Sequence, residues 1–501
     1  MTTPSLSARL PSAKPWISLP QATLIILCVT VGFVWSYLTT DVSWIIPLLG
    51  GTVSSTAVTW IIPFGVILSA AVIVLLFKFP FYVFSLWLLV APFLMLTDTG
   101  AARILFWIIH RILPPAMAGF LALTALWPPR GTNKTRLSRL GWPELAMAGY
   151  VLASLISIYL FNKDRLAEAV LLYDRTFGPM CLYLLIRLWH PDEKDIRRLM
   201  PAIFFVAASQ AFFGIAFWVA PQYFPSVWVR YLERTTGSLQ APTVYSATML
   251  FCGAVLLHAA ITRKRGIVRL LYEGGAIVAF FCVFLSLSRA SWLAEILVLA
   301  GLACLYRRYM IRLSLLALPV ILIIGGLFST QILILARDRL DSPQSERSAL
   351  SRLPVYVAGI RMFLAKPVTG WGYGNFNRYD RLFQVRFADI ADDNKDHASH
   401  NLYITTIAEQ GLLGITLLLF PMAWWLVLSR RRRLELPPDG LKSRKLLAVL
   451  WLSILAHIVV NNFSNMHIPF GLGLWWTTLS LIASLVDQES VSKAPAGCNN
   501  Q

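Results

Sequence analysis

The sequence predicts an all-α, polytopic integral membrane protein with about 12–14 transmembrane helices and one large outer loop. Three observations predict it. Charged residues make up 14% of the 501-residue chain, where soluble domains carry roughly 25%. Mean hydropathy is +0.64. Continuously apolar runs, near the ~20 residues that a span requires, recur along the chain without the alternation of barrel strands.

In chain order, a polar tail over 1–20 carries Arg9 and Lys14 and leads into the first apolar run with no small-residue cleavage site. That run is expected to remain as an uncleaved span. A membrane block over 21–333 follows, with apolar runs at 21–38, 57–77, 79–97, 103–127, 143–161, 174–190, 201–220, 241–262, 267–287, 290–307 and 312–333. Residues 41–50 fit a re-entrant piece. The run 103–127 holds His110, Arg111, Pro114 and Pro115, so a broken or partly interfacial helix is expected there. A large outer loop fills 334–399. Runs at 401–429, 445–461 and 468–486 form a second block over 400–486, and a tail of 487–501 closes the chain.

The formal net charge is +19. No RNP-like, zinc-finger or helix-turn-helix pattern accompanies it, so nucleic acid is not the partner expected. The excess instead follows the positive-inside rule. With the N-terminus inside, inner loops hold Lys78; Arg130, Lys134, Arg136 and Arg139; Lys194, Arg197 and Arg198; Arg263, Lys264 and Arg265; Arg307, Arg308 and Arg312; and Arg430 to Arg433 with Lys442, Arg444 and Lys445. The loop 334–399 balances ten Lys/Arg against eight Asp/Glu. Both termini are therefore expected on the cytoplasmic side. The six cysteines are Cys28, Cys181, Cys252, Cys282, Cys304 and Cys498, none in CxxC spacing. They read as small core residues, not as a disulfide frame or zinc site.

This topology gathers polar residues at the outer level. Asp174 and Arg175 open "DRTFGPMCLYLLIRL", where an ion pair between the two is one reading. Arg230 and Arg234 lie in an outer loop, as residues that bind or that only snorkel. Arg289 sits among Ser286, Ser288 and Ser291 at the turn between two apolar helices, where an unused charge is costly. Arg352 and Arg361 lie in the large loop, which closes with His397 and His400. An arginine fork suits phosphate oxygens and keeps its charge, so arginines beside one imidazole suit a diphosphate leaving group plus a base. The His-x-x-His pair, with Asp392, Asp393 and Asp396 nearby, also offers a metal site, though no tightly spaced third ligand accompanies it. Ser399 or Asn401 is expected to cap the helix that follows. Glu409 is expected to bond within the bundle, to Thr405 or Thr406, and not to act with His400. Gly411 and Gly414 are expected to permit close helix packing. "TGWGYGNF", residues 369–376, lacks nucleotide-loop spacing. It reads as a tight turn with Trp371, Tyr373 and Phe376 exposed to stack on sugars or to join an interfacial belt.

"HNLYITTIAEQGLLG" resembles the signature of the O-antigen ligase and O-antigen polymerase superfamily: His400 and Asn401, nine residues, then Gly411 and Gly414. Ile415 stands where Thr or Val is usual. "SRLPVYVAGIRMFLAKPVTGWGYGNF" is similar to the family's Arg-containing amphipathic helix and the Pro-x-x-Gly-x-Gly-x-Gly-Asn-Phe turn that follows it. "RTTGSLQAPTVYSATML" resembles its Arg-x-x-Gly segment, with Ala241 before the proline, and "SLSRASWLA" its Ser-Arg segment. The resemblance implies many transmembrane helices with a large periplasmic loop, in a bacterial inner membrane. It implies transfer of a glycan from undecaprenyl diphosphate to a glycan or lipid A–core acceptor, with no cofactor. It carries the catalytic role to His400 and diphosphate binding to Arg289 and Arg234, with Arg175 and Arg352 counted beside them. Asn401, Gly411 and Gly414 are implied to be structural parts of the motif. The rival reading is a polysaccharide transporter or flippase that makes no bond. Such a protein should show midplane charges or paired repeats, and neither is visible.

Overall fold

The computed structural model describes residues 80–95, 106–126, 140–224, 234–315, 319, 326, 352–385, 399–463 and 468–487. The chain divides into two compact units, and almost every described residue belongs to the larger, Phe84–Leu126 with Lys134–Gln501. Its regular elements among the described residues are helices. They are α1 Pro80–Val90, α2 Leu113–Leu126, α3 Trp142–Phe161, α4 Arg165–Leu172, α5 Gly178–Trp189, α6 Glu193–Val219, α7 Pro242–Thr262, α8 Ile267–Leu285 and α9 Arg289–Leu305. A short α10, Arg307–Leu315, is bent by 118° from α9. Then come α11 Arg352–Ala365, α12 Phe376–Phe383, α13 Leu402–Arg432, α14 Arg444–Asn461 and α15 Pro469–Val486.

Nine helices among the described residues are long and apolar enough to cross a membrane, which makes this a polytopic all-α membrane protein. The expected spans at 21–38 and 57–77 lie outside the described residues, as does most of 312–333. The stretch 103–127 is not broken where its charges and prolines suggested. A π-helical turn, Trp107–Ile112, runs straight into α2. Its polar groups are matched: Arg111 grips the Asp174 carboxylate with two bonds of 2.6 Å, and Trp87 Nε1 donates to His110 Nδ1 at 3.2 Å. Of the cysteines, Cys181, Cys252 and Cys282 are buried, while Cys304 is exposed.

Interhelical bonds sort the helix ends onto two rims. On one, Arg187 at the end of α5 bonds Glu144 at the start of α3 (3.1 Å) and Asp487 after α15 (2.8 Å). Arg432 at the end of α13 reaches the Val486 carbonyl at 3.4 Å. Near the end of α7, His258 Nδ1 lies 2.6 Å from the Tyr306 hydroxyl beyond α9, and His258 Nε2 lies 3.0 Å from the Leu441 carbonyl before α14. Lys194, Arg197, Arg198, Arg263–Arg265, Arg307, Arg308, Arg430–Arg433, Lys442, Arg444 and Lys445 belong to these same ends, which we name the basic rim. The opposite ends of these helices form the second rim, which carries the candidate site.

A candidate active site on the second rim

The long helix α13 is two helices. Gly411 interrupts it with φ 62° and ψ −157°, a conformation open to glycine and closed to most residues. A break inside a helix strands carbonyls on one side and N–H groups on the other. The glycine-rich turn supplies all four partners. Trp371 N and Gly372 N donate to the Ala408 and Glu409 carbonyls (3.0 and 2.8 Å). Leu412 N and Leu413 N donate to the Pro367 and Val368 carbonyls (2.7 and 3.2 Å). Backbones meet so closely that a Cβ on Gly370 would lie 2.3 Å from the Glu409 carbonyl carbon, and one on Gly411 would lie 2.4 Å from the Val368 oxygen. Gly411 thus serves a break and not helix packing. Gly414 makes room for the Gln410 side chain, which a Cβ there would approach to 2.2 Å.

Glu409 completes the joint. Its carboxylate accepts from Phe376 N at 3.0 Å, whereas Thr406 Oγ1 donates to its own helix at the Leu402 carbonyl (2.8 Å) and Thr405 Oγ1 to the Asn401 carbonyl (2.9 Å). The expected Glu409–threonine bond is therefore replaced by one to the turn. The turn's aromatics also face inward. Tyr373 and Phe376 are buried. Trp371 donates to the Met362 carbonyl (2.8 Å) under the Lys366 ammonium, 4.1 Å from its ring. Burial pushes the Tyr373 phenol up to about 12, against the opposing pull of a Thr176 bond and the Arg175 charge. These rings pack the turn, Tyr373 and Phe376 buried and Trp371 half-buried, where exposed rings were expected.

The nine-residue segment before the break, 402–410, is hereafter the rim helix. Asn401 caps it: Oδ1 accepts from Tyr403 N and Ile404 N, both at 3.0 Å. The same side chain donates through Nδ2 to the Asn462 carbonyl (2.9 Å), just past the end of α14. Arg352 Nη1 donates to the neighbouring Phe463 carbonyl (3.2 Å), and the Tyr356 hydroxyl reaches the Asn462 carbonyl at 3.4 Å. Burial raises the Tyr356 phenol above its usual range while the Arg352 guanidinium opposes the shift. Ser399 Oγ accepts from Asn401 N at 3.1 Å. His400 stands between these two anchored residues, half-buried, with φ 49°. A non-glycine residue in the left-handed region is held there by its surroundings at some cost in energy. His397 and the acidic residues of the His-x-x-His metal reading lie outside the described residues.

Arg234 and Arg289 flank one turn. Thr235 N donates to the Leu285 carbonyl (3.3 Å), the last residue of α8, and Arg289 opens α9 four residues later. Leu287 between them has φ 50°. Arg289 is exposed and Arg234 half-buried. Helices α9 and α14 run antiparallel, since Tyr306 beyond α9 meets Lys445 near the start of α14, 5.5 Å from ring to ammonium. Arg289 therefore shares its rim with Asn462. Ser291 Oγ is buried with no hydrogen-bond partner among the described residues. Arg175 is half-buried and faces Glu168, Tyr373 and Glu409. It does not pair with Asp174, because Arg111 holds that carboxylate. The second rim thus carries Arg352, His400 and Asn401 at the α14 end of the rim helix, Arg175 at the Gly411 end, and Arg234 with Arg289 at the α8–α9 turn. Arg361 is exposed on α11.

Sequence reading missed Tyr356, Asn462 and two residues beneath them. His457 and Asn461 lie one turn apart on α14, each 0% exposed, and neither side chain has a hydrogen-bond partner among the described residues. In the sequence they sit inside an apolar run with no spacing to mark them.

Residues 274–419 match the family described as O-antigen ligase. No curated protein matches the chain. The matched stretch takes in the Arg289 turn, α11, the glycine-rich turn, His400, Asn401 and the Gly411 break, and leaves Arg175 and Arg234 outside it. Over residues 274–419, then, this polytopic membrane protein is similar to the O-antigen ligase family, as its sequence motifs imply.

Proposed function

We propose that the protein moves a glycan from undecaprenyl diphosphate to an acceptor hydroxyl at the periplasmic face of a bacterial inner membrane. The basic rim is then cytoplasmic, as the positive-inside rule requires, and the second rim periplasmic. The observation that carries the reading is the strained His400, fixed between Ser399 and Asn401 on the rim that also holds Arg352 and Arg289. In the reaction, the acceptor oxygen bonds to the anomeric carbon while the bond from that carbon to the diphosphate oxygen breaks. His400 takes the acceptor's proton. The electron pair stays on the diphosphate, where Arg289 and Arg234 stabilise the developing charge, with Arg352 and Arg175 as further cations of that face. Arginine forks suit this better than lysines because two N–H groups meet two phosphate oxygens.

Lipid A–core ligation and repeat-unit polymerisation use the same parts and differ in the acceptor. Purified protein in proteoliposomes, given undecaprenyl-diphosphate-linked glycan, tests the reading. With a lipid A–core acceptor, joined product identifies a ligase. Without one, lengthened lipid-linked glycan identifies a polymerase. Passage of the donor across the bilayer with neither product identifies the flippase and overturns the proposal.

A further inference from the structure

Helix α11 has two apolar faces, and the bundle uses one. Val355, Ala358, Gly359 and Met362 are buried against the rim helix, where a Cβ on Gly359 would lie 2.4 Å from Ile404 Cγ2. On the opposite side Leu353, Val357, Ile360 and Leu364 follow each other at spacings of four, three and four, which places them on one stripe. Leu353 is 43% exposed, Ile360 45% and Leu364 68%, and Val368 just beyond is 62% exposed. Charge flanks this stripe without entering it: Arg361 is exposed beside it, and Arg352 is turned to the Phe463 carbonyl.

The ends of α11 fix its direction. It starts at Phe463, beyond α14, and finishes beside Phe161, the last residue of α3, whose ring lies 5.7 Å from the Lys366 ammonium. Both α3 and α14 are candidate spans, and both end on the second rim. A helix pinned at the same end of two spans lies along the membrane surface over its ~21 Å length. The last turns of α3 are likewise exposed at the apolar residues Ile156, Tyr159 and Leu160.

We propose that the Leu353–Ile360–Leu364 stripe is a lipid-docking surface, seated among the acyl chains just below the headgroups of the leaflet at the second rim, with Arg361 at the phosphate level. With its inner face taken up by the rim helix, what α11 presents outward is what an interfacial helix presents: an apolar stripe, basic and aromatic residues at its edge, and a length too short to span. The inference is independent of the reaction proposed above and needs no activity to test it. Nitroxide spin labels at Leu364→Cys, Ile360→Cys and Arg361→Cys, in the full chain reconstituted in phosphatidylethanolamine–phosphatidylglycerol vesicles, read it directly after subtraction of labelled wild type. Labels at 364 and 360 are expected to be relaxed more by oxygen than by a water-soluble nickel chelate, and the label at 361 the reverse. Preference for the chelate at all three positions would put the stripe in water and overturn the proposal. Poor access of both relaxants at 360 and 364, with dipolar broadening between labels, would replace lipid by a second copy of the chain. If one cysteine variant fails to fold, Leu353→Cys on the same stripe gives the same reading.

Discussion

At the residue scale, the reaction proposal turns on His400. His400→Ala is expected to lower glycan transfer by about 100- to 10,000-fold, the usual contribution of a general base, while bound donor lipid is retained. Transfer at the wild-type rate would reduce the histidine to a turn residue. Arg289→Lys is expected not to restore activity, since a point charge replaces a fork, and activity at normal membrane abundance would contradict that. Asn401 has two jobs that substitution can separate. Asn401→Asp keeps the oxygen that accepts from Tyr403 and Ile404 but loses the Nδ2 donor to Asn462. Asn401→Ala loses both, and a lost cap costs about 1 kcal/mol. The thermal midpoint in detergent is therefore expected to fall in the order wild type, Asp, Ala; equal midpoints would mean that the cap contributes nothing. His457 gives the opposite expectation. Its ring nitrogens have no partner among the described residues, so His457→Leu removes unpaired polar atoms without orphaning another group. An unchanged or raised midpoint is expected, and a clear drop would reveal a partner that binds the ring.

At the element scale, the joint between the glycine-rich turn and the broken helix makes its own prediction. Gly370→Ala and Gly411→Ala each force a Cβ into backbone at a positive φ, with contacts of 2.3 and 2.4 Å. The left-handed backbone alone costs roughly 1–2 kcal/mol, and the clash adds to it. Gly274→Ala, with nothing within 4 Å of its Cβ, is the control. Limited proteolysis and thermal midpoint should separate the first two from the third, and equal behaviour would show that the break relaxes freely. The same joint marks where sequence reading reached its limit. Apolar runs located the spans because lipid demands about 20 apolar residues whatever the neighbours. They could not reveal the Gly411 break, because residues 401–429 read as one run and the four backbone partners lie some 40 residues upstream. Nor could composition show that Tyr373 and Phe376 face inward, since an aromatic residue suits a core as well as a rim.

At the scale of the whole molecule, helix directions were legible in the charges. The loops that sequence reading placed inside converge on one rim wherever they are described. The arginines of the candidate site were legible as residue types at one level, but not as partners. Asp174 pairs with Arg111 across 63 residues, a contact no local pattern announces. The basic rim also holds a tie the sequence did not suggest. Arg187 is 1% exposed and joins α3, α5 and the end of α15 through Glu144 and Asp487, with the Trp425 ring of α13 4.8 Å from its guanidinium. Removing one member of a buried ion network leaves the others uncompensated, at about 3–5 kcal/mol. Arg187→Met is expected to reduce the yield of folded protein and lower its thermal midpoint by a corresponding margin. A variant as stable as wild type would show that water reaches the remaining carboxylates.

The break at Gly411 has a consequence for inheritance. Residues 367–372 and 408–413 exchange four backbone hydrogen bonds, so neither segment is complete alone. A chimera that takes its turn from one relative and its helix from another must bring two backbones together to the same few tenths of an ångström. Recombination between the two segments should therefore succeed far less often than exchange of the whole block from Arg352 to Arg432, which travels as one heritable part.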